Sequence, residues 1–180
     1  MLIRWWLGLG CLVYVFSSSV LAETPTKAVM GLTEQVHLVE FGLTLEGKLD
    51  TGADNSSLSA INVERFTRNG ERWVRFELPF PGFEGTPIER PLQHTVRIVR
   101  RAADVGDEDQ DFARRAVIEL TLCMGERHAV VPVNLADRRR FRTPLLVGAG
   151  SLSALGVLVD SAADSLGGKP ACVVREAPSE

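Results

Sequence analysis

The residues best suited to chemistry lie in one short stretch, Asp50-Thr51-Gly52-Ala53-Asp54-Asn55-Ser56-Ser57. Asp50 follows directly on Leu43-Thr44-Leu45-Glu46-Gly47-Lys48-Leu49, which alternates apolar and polar residues as a half-buried strand does. A carboxylate at the end of such a strand is aimed by the backbone. Thr51 and Gly52 are small, and Gly52 permits a sharp turn or a close backbone approach. Asp-Thr-Gly is also a common surface-turn tripeptide, so its meaning depends on what surrounds it. Asp54 and Asp160 are the other carboxylates weighed for the same site. Metal chemistry has little support. His37 and His94 stand apart, Cys123 and His128 are five positions apart, and there is neither a His-Glu-x-x-His helix nor a phosphate-binding Gly-Lys loop. No metal site and no cofactor are expected.

Presenting Asp50 requires strands on both sides of the turn. Residues 36–41 read as a first strand, Gly42 as a break, and 43–49 as the strand that delivers Asp50. Residues 57–61 resume the pattern. Arg68-Asn69-Gly70-Glu71 is a turn signal leading into a strand at 73–78. Residues 79–87, rich in Pro and Gly, form a loop. Residues 94–122 read as one long hairpin with its tip near Asp104-Val105-Gly106-Asp107. A strand follows at 128–134. Residues 135–142 are a charged connection in which Arg138, Arg139, Arg140 and Arg142 read as a solvated loop. Next come a short apolar run at 144–148, one or two helical turns at 151–155 with Ser151 near the N-cap, and a strand at 157–160. A last short strand is expected at 171–174. Many short strands with closely spaced turns give an all-β barrel or sandwich.

The chain of 180 residues suits a single domain with a sizeable core. Its 20 Lys and Arg nearly balance 23 Asp and Glu, which argues against both nucleic-acid binding and acidic disorder. Residues 1–22 read as a secretory signal: Arg4 precedes an apolar run at 5–16, and Val20-Leu21-Ala22 is a small-residue cleavage box. The run is short for a membrane span. The expected plan is signal peptide 1–22, flexible tail 23–30, a folded domain 31–175 and a tail 176–180. The mature protein is expected in the periplasm with no membrane attachment. Outside the leader there are two cysteines, Cys123 and Cys172; a disulfide and two buried thiols suit the sequence about equally.

With these residues in place, Leu49-Asp50-Thr51-Gly52-Ala53 resembles the catalytic signature of retropepsin-like aspartic proteases. Four parts occur in that family's order: the Asp-Thr-Gly turn, a flap hairpin at 94–122, Leu146-Val147-Gly148, and a short helix at 151–155. The likeness covers roughly residues 31–160. It is greatest to a bacterial exported branch, often labelled ATP-dependent zinc protease, through Gly31-Leu32-Thr33-Glu34, Trp73-Val74-Arg75-Phe76 and Val157-Leu158-Val159-Asp160. One departure matters. The family has Gly-Arg after the apolar pair, and here Gly148 is followed by Ala149. Asp54 therefore lacks the arginine that the resemblance would supply; either Arg142 or another basic residue replaces it, or Asp54 is free to face substrate.

The resemblance implies a closed or partly open retropepsin-like β-barrel with one short helix near the C-terminal end. It also implies an aspartic endopeptidase acting on peptide or protein substrates. Such chemistry needs two carboxylates sharing a proton. The chain has one Asp-Thr-Gly, so a homodimer is expected, with Asp50, Thr51 and Gly52 of each copy at the reacting centre. Ala53, Asp54, Val105 and Gly106 are expected to line the substrate. The competing expectation is a non-catalytic periplasmic binding or scaffold domain that keeps the fold.

Overall fold

The computed structural model describes residues 26–99 and 112–172. Its centre is a closed barrel of six strands. β2 (Thr33–Leu38) and β3 (Leu43–Asp50) form a hairpin. Around the barrel from β3 come β11 (Leu145–Gly148), β4 (Ser56–Ser59), β10 (Arg127–Ala136), β9 (Phe112–Met124) and β2 again. The β9–β10 pairing closes the ring. β3 runs parallel to β11 and β4 parallel to β10, so the sheet is mixed. β8 (His94–Val99) extends the sheet beyond β9.

Alternation builds the core. In β3, Leu45 and Leu49 turn inward while Thr44, Glu46 and Lys48 face outward. Gly47 also points in, where a Cβ would approach Val36 Cγ2 at 3.0 Å and Leu145 Cδ2 at 3.3 Å. Val36, Leu38, Leu58, Ile118, Val133 and Val147 fill the interior. Each fully buried Leu or Ile side chain contributes about 1.5–3 kcal/mol relative to exposure.

Two smaller units flank the barrel. β5 (Ile61–Arg68), β6 (Glu71–Glu77) and β7 (Ile88–Pro91) make a three-stranded antiparallel sheet. The turn between β5 and β6 is the expected one, with Asn69 at φ 51° and Gly70 at φ 83°. β6 buries Val74 and Phe76 completely. β5 and β7 were not legible in the sequence, because their residues are mostly exposed or half-exposed and show no clean alternation. β1 (Ala28–Met30) pairs in parallel with β12 (Val157–Val159), beside the short helix α1 (Ala149–Leu155).

Several expectations are corrected. The first barrel strand spans 33–38 rather than 36–41; residues 39–41 are one turn of 3-10 helix closed by Gly42 at φ 60°. Residues 28–30, expected within a loose tail, form β1. Ser151 is not the N-cap: Gly148 occupies that position without a side-chain bond, and Ser151 is buried inside the helix. Ala171 and Cys172 are not in a strand, and residues 173–174 lie outside the described residues. The two cysteines form a disulfide, Cys123–Cys172. The hairpin at 94–122 exists as β8 and β9, but its tip, with Val105 and Gly106, lies outside the described residues, as do the signal segment 1–22 and the tail 176–180.

Candidate active site

Asp50 ends β3, opposite Gly148 of β11 in register. Its Oδ1 accepts a hydrogen bond from the Gly52 N–H at 3.1 Å, which turns the carboxylate back over its own loop. Its Oδ2 lies 3.4 Å from Lys48 Nζ, and the Asp50 side chain remains 29% exposed. Thr51, Gly52 and Asp54 are exposed and Ala53 is half-buried. The turn therefore presents one carboxylate and several small residues to the surface.

The loop is braced from beneath. The N–H groups of Ala149 and Gly150 donate to the carbonyls of Ala53 at 2.7 Å and Asp54 at 3.3 Å. Gly148 makes this approach feasible: a Cβ there would meet Ala53 O and Asn55 C, each at 2.7 Å. Ser56 Oγ accepts the Gly148 N–H at 3.0 Å and shares a 2.6 Å bond with Ser151 Oγ. Asn134 Nδ2 donates to Ser56 O at 2.6 Å, tying β10 to the same frame. Thus Leu146-Val147-Gly148 and α1 form the floor under Asp50.

The expected neighbours separate. Asp54 makes no side-chain hydrogen bond or ion pair with a described residue, and exposed Arg142 does not replace the arginine absent at Ala149. Asp160 is engaged in the turn after β12, where its Oδ1 accepts the Ala162 N–H at 2.9 Å. Trp73 and Phe76 belong to the flanking sheet. Among the described residues no cluster of three or more His, Cys, Asp or Glu could hold a metal.

Arg138 corrects the reading of the arginine run as solvated. It is only 7% exposed, whereas Arg139 and Arg140 are exposed. Its Nε–H donates to Thr143 O at 3.4 Å, its guanidinium carbon lies 4.6 Å from the centre of the Phe141 ring, and its backbone N–H donates to Ser59 Oγ at 3.2 Å. Burial, reinforced by the like charge of Arg115, pushes the guanidinium down to about 10; the charge of Asp50 works the other way. The neighbouring pair is ordinary: Arg139 Nη2 lies 2.6 Å from Asp137 Oδ2 and pulls that carboxyl down to about 2. No sequence signal separated Arg138 from the arginines beside it.

The profile of the RimB-like family, described as retropepsin-like aspartic endopeptidase RimB, matches residues 29–170. The chain belongs to this RimB-like family. A crystal structure of a protein of unknown function from Legionella pneumophila subsp. pneumophila superposes with a TM-score of 0.62 at 29% identity, covering 78% of this chain and 98% of that one. Proteins named probable alpha-L-glutamate ligase are also similar. The one from Desulfotalea psychrophila is 25% identical over 132 residues, 71% of this chain and 27% of that protein. The one from Parasynechococcus marenigrum is 30% identical over 126 residues, 68% and 26%. The chain thus matches about a quarter of the length of these curated relatives. RimB-like membership agrees with both the family and the barrel expected from the Asp-Thr-Gly turn, and the Asp50 turn lies within the matched residues.

Proposed function

We propose that this chain is an exported aspartic endopeptidase that works as a homodimer, with Asp50 of each copy forming the reacting pair. The observation that carries the reading is the presentation of Asp50. A strand-end carboxylate, fixed by one backbone N–H and only partly covered, stands on an exposed Asp-Thr-Gly turn. In the pair one carboxyl is ionised and the other protonated. The ionised one takes a proton from water as the water oxygen attacks the scissile carbonyl carbon. The protonated one gives its proton to the carbonyl oxygen. Collapse of the tetrahedral adduct, with a proton passed to the departing amine, breaks the C–N bond.

The surface beside the turn supports a second copy. Exposed Thr51 borders an open depression of about 220 Å³ that is also lined by Lys27, Ala149, Leu152, Val157 and Leu158. Val29 and Leu158 are about half exposed on the adjoining β1–β12 sheet, and they are register partners. An apolar surface continuous with the reacting turn suits an isologous contact that would bring the two Asp50 residues together. The described strands of the β8–β9 hairpin are the proposed lid, with Ala53 and Asp54 facing the peptide; Val105 and Gly106 lie outside the described residues. The Cys123–Cys172 disulfide supports an oxidising compartment, as the signal-like residues 1–22 do.

The test is subunit mixing. Peptide hydrolysis by the mature chain should fall more steeply than concentration on dilution, and an excess of Asp50→Asn subunits should poison it, since a mixed pair holds one native carboxylate. A fully active monomer in light scattering, or full activity in Asp50→Asn alone, would overturn the reading.

A further inference from the structure

Phe141, in the loop between β10 and β11, is 55% exposed. A single exposed apolar side chain needs no explanation. Phe141 differs in what lies beneath it. Its backbone N–H donates to Arg138 O at 2.8 Å, closing a turn over residues 138–141. The guanidinium carbon of Arg138 lies 4.6 Å from the centre of its ring. Arg138 is itself only 7% exposed, and its Nε–H donates to Thr143 O at 3.4 Å. Taking a guanidinium out of water is costly. Here the buried cation serves as a pedestal: it stacks against the aromatic ring while more than half of Phe141 stays in solvent.

The residues beside the ring carry one sign of charge. Arg139, Arg140, Phe141 and Arg142 are four consecutive exposed residues. Asp137 is the only acidic residue between 137 and 144, and Arg139 is paired with it at 2.6 Å. Arg140 and Arg142 make no hydrogen bond or ion pair with a described residue. From β9, Arg115 adds a like charge to that of Arg138. The loop also stands apart from the reacting turn. Arg138 N–H binds Ser59 Oγ, and Pro144 O accepts the Ser59 N–H at 2.8 Å, both at the last residue of β4. The Asp50 turn is braced at the other ends of β4 and β11, by Ser56 and Gly148. A surface seated on the loop therefore leaves the turn open.

We propose that the tip of this loop, Arg139 to Arg142, docks on the anionic headgroup surface of a phospholipid bilayer. Phe141 enters the boundary between headgroups and acyl chains, and Arg140 and Arg142 on either side of it bind headgroup phosphates. Charge complementarity selects the sign of the partner. Shape selects its class. A turn tip is convex, whereas peptide ligands are held in grooves or along strand edges. Four residues are also few beside the roughly 20–30 a side of a stable protein interface. A bilayer accepts a single projecting ring with flanking cations. Two cations and one ring give a weak, reversible contact, with half-binding at about millimolar lipid. This replaces the expectation that the mature chain makes no membrane contact, and it does not depend on the chemistry of Asp50.

Vesicle co-sedimentation of the full mature chain tests it, comparing phosphatidylglycerol mixed into phosphatidylcholine with phosphatidylcholine alone. Wild type should bind the anionic vesicles about tenfold or more tightly than the neutral ones and release them at high salt. Arg140→Gln combined with Arg142→Gln should weaken binding by about tenfold or more, and Phe141→Ala by about fivefold or more. The two arginines take no part in the turn hydrogen bond or the Arg138 stack, so their double variant decides the matter even where Phe141→Ala disturbs the loop. Phe141→Trp adds a depth reading, since Trp73 is the only other tryptophan after residue 22. Its emission should shift to the blue and be quenched by brominated lipid on anionic vesicles. Equal binding by wild type and the arginine double variant would overturn the proposal, as would emission that vesicles leave unchanged. Binding of a soluble acidic peptide through Arg140 and Arg142, without vesicle binding, would assign the loop to a protein partner and overturn it too.

Discussion

Two carboxylates divide the work of this barrel. Glu34, on β2, is 1% exposed and held by two backbone donors: its Oε1 accepts Gly31 N–H at 2.7 Å and Gly167 N–H at 3.0 Å, and the Gly167 N also lies 3.2 Å from Oε2. Asp50, on the adjoining β3, has one backbone donor and an open face. Gly31 and Gly167 are shaped for the first task. A Cβ on Gly31 would strike the Asp164 backbone at 2.6 Å, and one on Gly167 would strike Met30 Sδ at 2.5 Å. Glu34 ties the C-terminal segment to the barrel, with Asp164 on Thr33 and the disulfide adding to the tie. A carboxylate whose lone pairs are spent on buried N–H groups is a structural clamp. One left half-satisfied and partly wet keeps lone pairs open to solvent, which is what the proposed role of Asp50 requires.

The sharpest break of this contrast is at Asp50. Asp50→Asn should lower peptide hydrolysis by about a thousandfold or more while moving the thermal midpoint by only a few degrees. An unfolded Asp50→Asn protein would erase the distinction from Glu34. The clamp side should behave in reverse. Replacing Cys123 and Cys172 together by Ala should remove about 2–4 kcal/mol of stability in urea unfolding, because the bridge closes a sequence separation of 49. Activity per folded molecule should persist.

Glu34→Ala should cost about 2–3 kcal/mol, since the Gly31 and Gly167 N–H groups would lose their partner; calorimetry measures it. A stable Glu34→Ala protein with lost activity would place Glu34 in the chemistry instead. The smallest effect is expected at Ser56. Ser56→Ala leaves the Gly148 N–H and Ser151 Oγ short of a partner and should cost about 1–2 kcal/mol. Because these groups brace the Asp50 turn, hydrolysis should fall as well, which separates Ser56 from Glu34.

Sequence alone determined the all-β class, the strand that delivers Asp50, the Asn69-Gly70 turn and the apolar run ending at Gly148, while the choice of barrel over sandwich came from the resemblance carried by the Asp-Thr-Gly turn. Each is a local pattern: alternation in β3, a turn pair that tolerates positive φ, a glycine where backbone must pass close. Tertiary structure decided what depends on partners far along the chain. β1 is three residues long and exists by pairing with β12. β5 and β7 have little apolar pattern and are held as strands by β6 between them. Ser151 resembled a cap until Ser56, 95 residues away, took its hydroxyl. The Cys123–Cys172 bond and the clamp at Glu34 needed distant residues brought together. Arg138 is the clearest case: four arginines in five positions look alike in one dimension, and only the packing of Phe141, Thr143 and Ser59 selects which of them leaves water.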